Sequence, residues 1–170
     1  MISFLFALFL SHSACNVHYR EIYLIPSDYR GKVVAIYARP FGEQPVMEDS
    51  STIFKIPEDG ILVTQSIKRN IHELRESEFY LINKNGERTR LNILEKDSLF
   101  NSKDSIRFRH EVGVIPFGTI GSCEFDKPNT FCYSDFYIGT YSEMGKFYTP
   151  EAADAFEKRV IAKAKWVQGK

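Results

Sequence analysis

Short apolar segments separated by glycine and proline recur along most of the chain, and they constrain the fold more than any other feature. The strongest is residues 31–38, GKVVAIYA, which lies between Gly31 and Pro40. Valine, isoleucine and tyrosine favour the pleated surface of a sheet, whereas glycine and proline interrupt it. The pattern predicts a mainly β fold, and we expect an antiparallel β-sandwich-like domain with a C-terminal α-helix packed on it.

The other predicted strands follow from the same alternation of apolar and polar residues. They are residues 21–25, 52–56, 61–64, 78–84, 87–93, 105–114, 119–125 and 130–141. Asn85-Gly86 predicts a hairpin with a two-residue type I′ turn. In residues 105–114 the alternation places His110 on an otherwise apolar face, which predicts a partly buried histidine. Residues 67–76 have apolar positions at helical spacing and predict a short helix.

The C-terminal segment changes to a helical period. Thr149 suits the N-cap and Pro150 the first helical position. Apolar residues then recur at intervals of three and four, namely Ala153, Phe156, Val160, Ala164 and Val167. The spacing predicts a helix over residues 149–168 that packs on the domain. Its basic later half leaves open a helix that lies on a membrane surface.

The size and charge of the chain exclude some classes of function. Its 170 residues suit a single domain, predicted over residues 15–168. Basic and acidic side chains number 22 each, so the chain has no net charge. Because nucleic-acid binding depends on a basic surface, we predict no nucleic-acid partner.

The first ten residues, MISFLFALFL, are almost entirely apolar. As a helix they would span about 15 Å, too short for a hydrocarbon core of about 30 Å. The length suits a secretory signal, and we predict a signal peptide over residues 1–14. A cleaved signal of a secreted protein and a buried N-terminal strand are the alternatives.

Ser13 and Ala14 precede Cys15, and this order resembles the lipobox of bacterial lipoproteins. The resemblance implies that Cys15 is lipidated and becomes the N-terminus, with residues 15–20 as a tether. It departs from the usual pattern at His12, where an aliphatic residue is common, and in lacking a basic residue at the start. The predicted location is the bacterial cell envelope, anchored to a membrane, with secretion as the alternative.

The other two cysteines, Cys123 and Cys132, flank the turn signal Pro128-Asn129. Cysteines that face each other across a hairpin can reach disulfide geometry. A disulfide persists in an oxidising compartment, which agrees with export. Two free buried thiols are the alternative.

Two segments carry a resemblance to a family of bacterial proteins with a domain of unknown function. The first motif, Ile-Pro-x-x-Tyr-x-Gly-x-Val, falls on Ile25, Pro26, Tyr29, Gly31 and Val33. The second, Ile-Pro-x-x-Gly-[Ile/Val]-Leu, falls on Ile56, Pro57, Gly60, Ile61 and Leu62. Residues 79–89 and 136–140 also resemble strands of that family. The resemblance implies an envelope location and this architecture, and it transfers no catalytic residue.

Motifs for chemistry are weak. His72-Glu73 and His110-Glu111 lack the second histidine of a zinc-binding H-E-x-x-H. Residues 118–122 are rich in glycine but have no P-loop lysine, so we expect a β-turn there. The acidic turns at residues 48–50 and 58–60 hold too few oxygens for calcium. We therefore predict no catalytic residue, metal or cofactor.

The leading hypothesis is an exported envelope protein with a non-catalytic binding or structural domain. Its predicted partners are the membrane, through the lipid anchor, and an envelope protein. One alternative is an envelope hydrolase with a site assembled from distant loops. Another is an inhibitor or immunity-type protein that blocks a partner with the loop at residues 39–51.

Overall fold

The computed structural model describes residues 20–67, 77–95, 109–120, 131–147 and 149–165. The strands in these ranges are β1 (Arg20–Pro26), β2 (Gly31–Ile36), β3 (Val46–Glu48), β4 (Ser51–Lys55), β5 (Ile61–Val63), β6 (Glu78–Ile82), β7 (Arg88–Arg90), β8 (Gly113–Ile120) and β9 (Tyr133–Gly139). Two helices follow, α1 (Tyr141–Phe147) and α2 (Pro150–Lys165). The predicted mainly β, sandwich-like fold with a C-terminal helix is confirmed.

The strands form two sheets, a five-stranded sheet with the order β3-β4-β1-β6-β7 and a four-stranded sheet with the order β5-β2-β9-β8. Both sheets are mixed, with parallel as well as antiparallel pairs, whereas the expected sandwich-like domain was antiparallel. β1 runs parallel to β4 and β6, and β2 runs parallel to β5. The reason is connectivity. The chain passes from one sheet to the other after β1 and again after β4, so successive strands are not paired as hairpins.

The two Ile-Pro segments form these crossings side by side. The parallel register of β1 and β4 pairs Leu24 with Lys55, so the next two residues of each strand bring one Ile-Pro beside the other. The backbone N–H of Ile56 donates to the carbonyl of Leu24 at 2.8 Å. Proline cannot donate to a ladder, and this suits a strand that ends at each crossing.

Tyr29 and Gly60 interlock the two crossings. Gly60 has a φ of +76°, and a Cβ there would collide with the Tyr29 hydroxyl and lie 2.6 Å from the Lys32 carbonyl. The Tyr29 hydroxyl donates a hydrogen bond to that same carbonyl. The second motif therefore needs glycine for its backbone conformation and for the close approach of a side chain from the first motif.

The interior between the sheets is packed with aromatic rings from both. Tyr23 lies with its ring centroid 5.1 Å from Phe54, 5.0 Å from Phe79 and 5.4 Å from Phe136. Phe136 comes from the four-stranded sheet and the other three from the five-stranded sheet. Offset and edge-on aromatic pairs each add about 0.5–1.5 kcal/mol beyond their buried area. This cluster therefore holds the two sheets together.

A chain of hydrogen bonds satisfies the polar groups of this interior. The Tyr37 hydroxyl lies 2.7 Å from the Tyr23 hydroxyl and 2.7 Å from Ser134 Oγ. The Tyr23 hydroxyl also donates to Glu21 Oε2 at 3.0 Å. Burial raises the pKa of both tyrosines well above the ordinary value of 10.0. Because each hydroxyl has a partner, these tyrosines can stay buried and neutral.

The Asn85-Gly86 hairpin is present as β6 and β7, but its turn is not type I′. Gly86 has a φ of +84°, and Asn85 is not among the residues with positive φ. Asn83 N–H donates to the Glu87 carbonyl at 3.1 Å, which leaves a three-residue loop closed by a glycine. Asn83 Oδ1 accepts the N–H of Asn85 at 2.9 Å and that of Glu87 at 3.0 Å, and these bonds stabilise the wider loop.

The predicted strand at residues 105–114 is wrong at residues 109–112 and confirmed only at residues 113–114, which begin β8. Arg109 and His110 are helical and exposed, and β8 begins only at Gly113. A Cβ at residue 113 would lie 2.6 Å from Leu94 Cγ, so the strand starts where a glycine permits close packing. His110 is therefore not a partly buried histidine. Residues 118–120 continue β8 and do not form the expected turn.

The C-terminal helix packs on the outer face of the four-stranded sheet. Thr149 Oγ1 accepts the N–H of Ala152 at 3.3 Å, which confirms the predicted N-cap. Val160 and Ala164 are buried against Val34, Ile36 and Ile61. Lys163 Nζ lies 2.5 Å from Asp59 Oδ2, and this ion pair fixes the end of the helix to the second crossing.

Other sequence predictions lie outside the described residues, among them residues 1–19, 68–76 and 121–130 and the end of the C-terminal segment after residue 165. None of the helices in the described part of the chain combines the length and the apolar character that a membrane crossing needs.

Candidate functional site: a cleft on the outer face of the four-stranded sheet

A cleft of about 560 Å³ opens on the outer face of the four-stranded sheet, between the sheet and α2. We call it the outer-face cleft. Its lining is Tyr29, Arg30, Gly31, Lys32, Val34, Glu58, Asp59, Phe131, Tyr133, Tyr137, Phe147, Ala152, Ala153, Phe156, Glu157, Arg159, Val160 and Ile161. Both crossings contribute residues to it. Its volume falls in the range of about 300–1,000 Å³ that is usual for small-molecule sites.

Lys32, which lines the cleft, forms an ion pair with the buried Asp135, which does not line it. Lys32 lies opposite Tyr137 in the pairing of β2 with β9, and Asp135 lies on the same face two residues before Tyr137. Lys32 Nζ is 2.9 Å from Asp135 Oδ2, and the Asp135 side chain is 5% exposed. Removing Lys32 would leave the buried Asp135 as an uncompensated charge, which is strongly destabilising.

Aromatic rings surround the Lys32 ammonium. It lies 5.3 Å from the ring centroid of Phe117 on β8 and 5.9 Å from that of Phe156 on α2. A cation within about 6 Å of a ring face is attracted by the ring quadrupole. A strand on one side and the helix on the other therefore hold this charge in place.

On this face of β9, two buried side-chain oxygen atoms have no hydrogen-bond partner in the described part of the chain: the hydroxyl of Tyr137, which lines the cleft, and Asp135 Oδ1, which belongs to the ion pair. Tyr137 is 0% exposed. Its pKa is raised to about 12 by burial and by Glu143, while Arg30 opposes that shift. A buried polar group without a partner costs about 1–3 kcal/mol. In a natural protein such a group needs an explanation, and a bound ligand is one.

The rim carries charges of both signs. Arg30 donates to the carbonyls of Ser27 and Tyr29 at 3.2 and 2.6 Å. Arg159 lies 5.1 Å from the centroid of the Phe156 ring. The lining holds three cationic side chains, Arg30, Lys32 and Arg159, and three anionic ones, Glu58, Asp59 and Glu157. The cleft is therefore polar at its rim but has no excess of either charge.

Residues of the first crossing form one end of the cleft. Burial raises the pKa of the Tyr29 hydroxyl to about 12, Arg159 lowers it, and Asp59 and Tyr137 raise it further. Tyr29 of the first motif, Tyr137 of β9 and Arg159 of α2 therefore lie near one another at this end of the cleft.

The walls are aromatic and partly open to solvent. Phe131 and Tyr133 lie with ring centroids 5.8 Å apart at the end far from the crossings. Phe147, at the end of α1, is 51% exposed and lies 5.9 Å from the Tyr137 ring. Phe156 is half-buried on α2. Exposed aromatic faces around a polar floor are typical of a ligand site.

The sequence candidates for chemistry do not meet at this cleft. His110 is exposed and does not line it. Glu48 is held by Arg88 through two bonds of 2.9 Å, and Asp59 is held by Lys163. Within the described ranges, no three histidine, cysteine, aspartate or glutamate side chains are grouped to hold a metal.

Of the three cysteines in the predicted sites, one lies in the described part of the chain. Cys132 is 6% exposed and belongs to the interior core. Cys15 and Cys123 lie outside the described residues. The lipid on Cys15 and the disulfide between Cys123 and Cys132 remain predictions.

Sequence reasoning missed Lys32, Asp135, Tyr137 and Phe156 as site residues. A signal was available for two of them, because Lys32 and Asp135 are single charges inside apolar strands. Such a charge needs a buried partner or an open site. Tyr137 and Phe156 resemble ordinary core residues in the sequence, and their position follows only from the fold.

Most of the chain matches a known protein family. The model of a family described as a family of unknown function (DUF6843) matches residues 18–146. The chain belongs to this family. The match includes both Ile-Pro crossings, and the predicted membership of a domain-of-unknown-function family is confirmed. Comparison with curated proteins gives no match.

A solved structure also resembles the chain. It is the crystal structure of a protein described as "Putative Lipoprotein from Bacillus anthracis", with a TM-score of 0.54 and 18% sequence identity. The alignment covers 86% of this chain and 94% of that one. At this identity the likeness shows that the two proteins share a fold.

Proposed function

We propose that the protein is an envelope protein, anchored by a lipid on Cys15, whose β-domain binds a ligand in the outer-face cleft without chemical change. The observation that supports binding most strongly is the hydroxyl of Tyr137, a cleft-lining residue whose buried oxygen has no partner in the described part of the chain. A ligand that hydrogen-bonds to it would offset its cost.

The composition of the cleft favours binding over catalysis. Its described lining has no serine, cysteine or histidine to act as a nucleophile or as an imidazole base. Its carboxylates include Asp59, which is held by Lys163 and accepts the N–H of Ile61 at 3.2 Å. The cleft therefore offers a surface of fixed shape that suits binding.

The anchor is supported by the sequence around Cys15 and by the fold shared with a protein named as a lipoprotein. β1 begins at Arg20, so four residues separate it from Cys15. A fully extended chain of that length reaches about 14 Å. A lipid on Cys15 would therefore keep the domain close to the membrane surface.

Fractionation of cells that express the full chain tests the anchor. Cys15→Ala is expected to release the protein from membranes or to leave a longer, uncleaved precursor. The neighbouring variant Asn16→Ala serves as the control and should fractionate as the wild type does. An unchanged size and membrane fraction for Cys15→Ala would reject the anchor.

Thermal unfolding in the presence of fractionated envelope extract tests the cleft. A ligand that binds only the folded state raises stability by mass action, by about 2.7 kcal/mol at 100 times its Kd. At least one fraction should raise the Tm of the wild type and of Phe41→Ala, but not that of Phe156→Ala. An equal shift in all three proteins, or no shift with any fraction, would contradict a binding role for the cleft.

A further inference from the structure

We infer that the outer-face cleft takes a saccharide, that is, an uncharged ring ligand that carries several hydroxyl groups. This inference rests on the proposed binding role of the cleft and adds the chemical class of the ligand. It follows from the charges, the unpartnered Tyr137 hydroxyl and the aromatic walls taken together.

The charges of the cleft select against simple ions. Lys32 is paired with Asp135, and Lys163 is paired with Asp59. The remaining lining charges are two arginines and two glutamates, Arg30, Arg159, Glu58 and Glu157. An anion or a cation would meet a like charge for every opposite one. A hydroxyl group donates to the carboxylates and accepts from the guanidinium groups.

The unpartnered hydroxyl of Tyr137, which lines the cleft, agrees with this choice. A tyrosine hydroxyl can donate or accept a hydrogen bond. A ligand ammonium group would meet the Lys32 ammonium, which lines the same cleft. A neutral hydroxyl can pair with Tyr137 in either role.

The aromatic walls supply the apolar contacts that recognition of a sugar ring requires. Phe131, Tyr133 and Phe156 are half-buried, and Phe147 is 51% exposed. A pyranose ring has an apolar face of C–H groups and a polar edge of hydroxyls. Such a ring can lay its apolar face on an aromatic side chain while its edge reaches the charged rim.

A peptide fits the same cleft less well. Extended peptides bind sheets by adding a strand at an open edge. The floor strands β2 and β9 are both central in the four-stranded sheet, where each has a neighbour on either side. Their backbone groups are used in the ladder, so the amide groups of a peptide lying on this face would lack backbone partners.

The test begins with the detergent-solubilised full chain on an array of mono- to tetrasaccharides, followed by titration calorimetry of the glycans that bind. Phe156→Ala should weaken binding by about 10-fold through the lost ring face, and Tyr137→Phe by about 5-fold through the lost hydroxyl. Phe41→Ala and Tyr80→Phe, which change the same residue types outside the cleft, should bind as the wild type does.

Several outcomes would overturn the inference. One is that no saccharide binds, and another is that all four variants bind a saccharide as the wild type does. A third is that octanoate, inorganic phosphate or trialanine binds with the expected dependence on Phe156 while no sugar does. That third result would keep the proposed binding role and reject its ligand class. Cleavage of a bound glycan would support the saccharide but reject a non-catalytic function.

Discussion

The interior of the sandwich and the outer-face cleft use the same residue types in opposite ways. In the interior, Tyr23 and Tyr37 bond to each other, and Tyr37 also bonds to Ser134. In the cleft, the Tyr137 hydroxyl is equally buried but has no partner in the described part of the chain. Interior aromatics are fully buried, whereas the cleft aromatics other than Tyr137 are partly open.

This difference separates residues that stabilise the fold from residues available for binding. A satisfied hydrogen-bond network and closed ring packing contribute to stability and leave nothing for a ligand to complete. Unpartnered oxygens beside open aromatic faces cost stability in the free protein, and a ligand can recover that cost. Substitutions in the two regions should therefore have opposite consequences for stability and binding.

Truncating one phenylalanine in each region should give the largest contrast. Phe136→Ala removes a ring at the centre of the interior cluster and should lower the free energy of unfolding by about 3–5 kcal/mol. Phe156→Ala, on the cleft wall, should lower it by about 1 kcal/mol or less, because its ring is only half-buried. Urea denaturation measures both losses. Similar losses would remove the distinction between the regions.

Gly60 tests whether the two crossings are locked together. Gly60→Ala should lower the free energy of unfolding by about 2–4 kcal/mol, because it combines an unfavourable φ with a collision against Tyr29. Gly86 has a similar φ of +84° but nothing within 4 Å of the added Cβ. Gly86→Ala is thus the matched control, with an expected loss of about 1–2 kcal/mol. Equal losses would mean that the interlock contributes nothing.

Removing a tyrosine hydroxyl from each region compares satisfied with unpartnered oxygen atoms. Tyr37→Phe breaks the interior hydrogen-bond chain and should lower the free energy of unfolding by about 1–3 kcal/mol. Tyr137→Phe removes a group without a partner, so stability should stay within about 0.5 kcal/mol of the wild type or rise. Chemical denaturation at neutral pH is sufficient. A large loss for Tyr137→Phe would show that its hydroxyl is bonded in the free protein.

The smallest expected effect is on alkaline stability. The pKa of Tyr137 is raised to about 12 in the folded protein, and an unfolded tyrosine titrates near 10. Its contribution is therefore fully present below about pH 10 and is lost as the pH rises towards 12, because the unfolded state releases the proton first. Between these values Tyr137→Phe should lose stability less steeply with pH than the wild type. Identical slopes would contradict the burial of this hydroxyl.

Sequence reasoning found the local elements and missed their arrangement. The period-2 runs identified β1, β2, β4 and β9, and the cap at Thr149 identified α2. The parallel pairing of β1 with β4 could not be predicted, since it joins segments about thirty residues apart through backbone bonds that carry no side-chain signature. Alternation also failed at residues 109–112, where close packing of Gly113 on Leu94 starts the strand late.

The cleft was the least predictable part of the molecule. Its floor combines Lys32 from β2 with Tyr137 from β9, and its wall adds Phe156 from α2. Tyr137 and Phe156 each have an ordinary explanation within their own segments, and the lone charge of Lys32 does not show which residues it will meet. Only the antiparallel register that sets Lys32 opposite Tyr137 turns them into a site. The two Ile-Pro motifs were recognised in the sequence, but their contact through Tyr29 and Gly60 depends on the tertiary fold.

The most direct test is heteronuclear NMR of the full chain in detergent during titration with the glycan that binds best on the array. If the outer-face cleft is the binding site, the backbone resonances of Lys32, Tyr137 and Phe156 should shift together and saturably. The ring resonances of Tyr137 and Phe156 should shift with them. Those of Tyr23 and Tyr37 should stay in place. Saturable shifts confined to the exposed strand β3 or the sandwich interior, with the cleft resonances unmoved, would contradict the assignment.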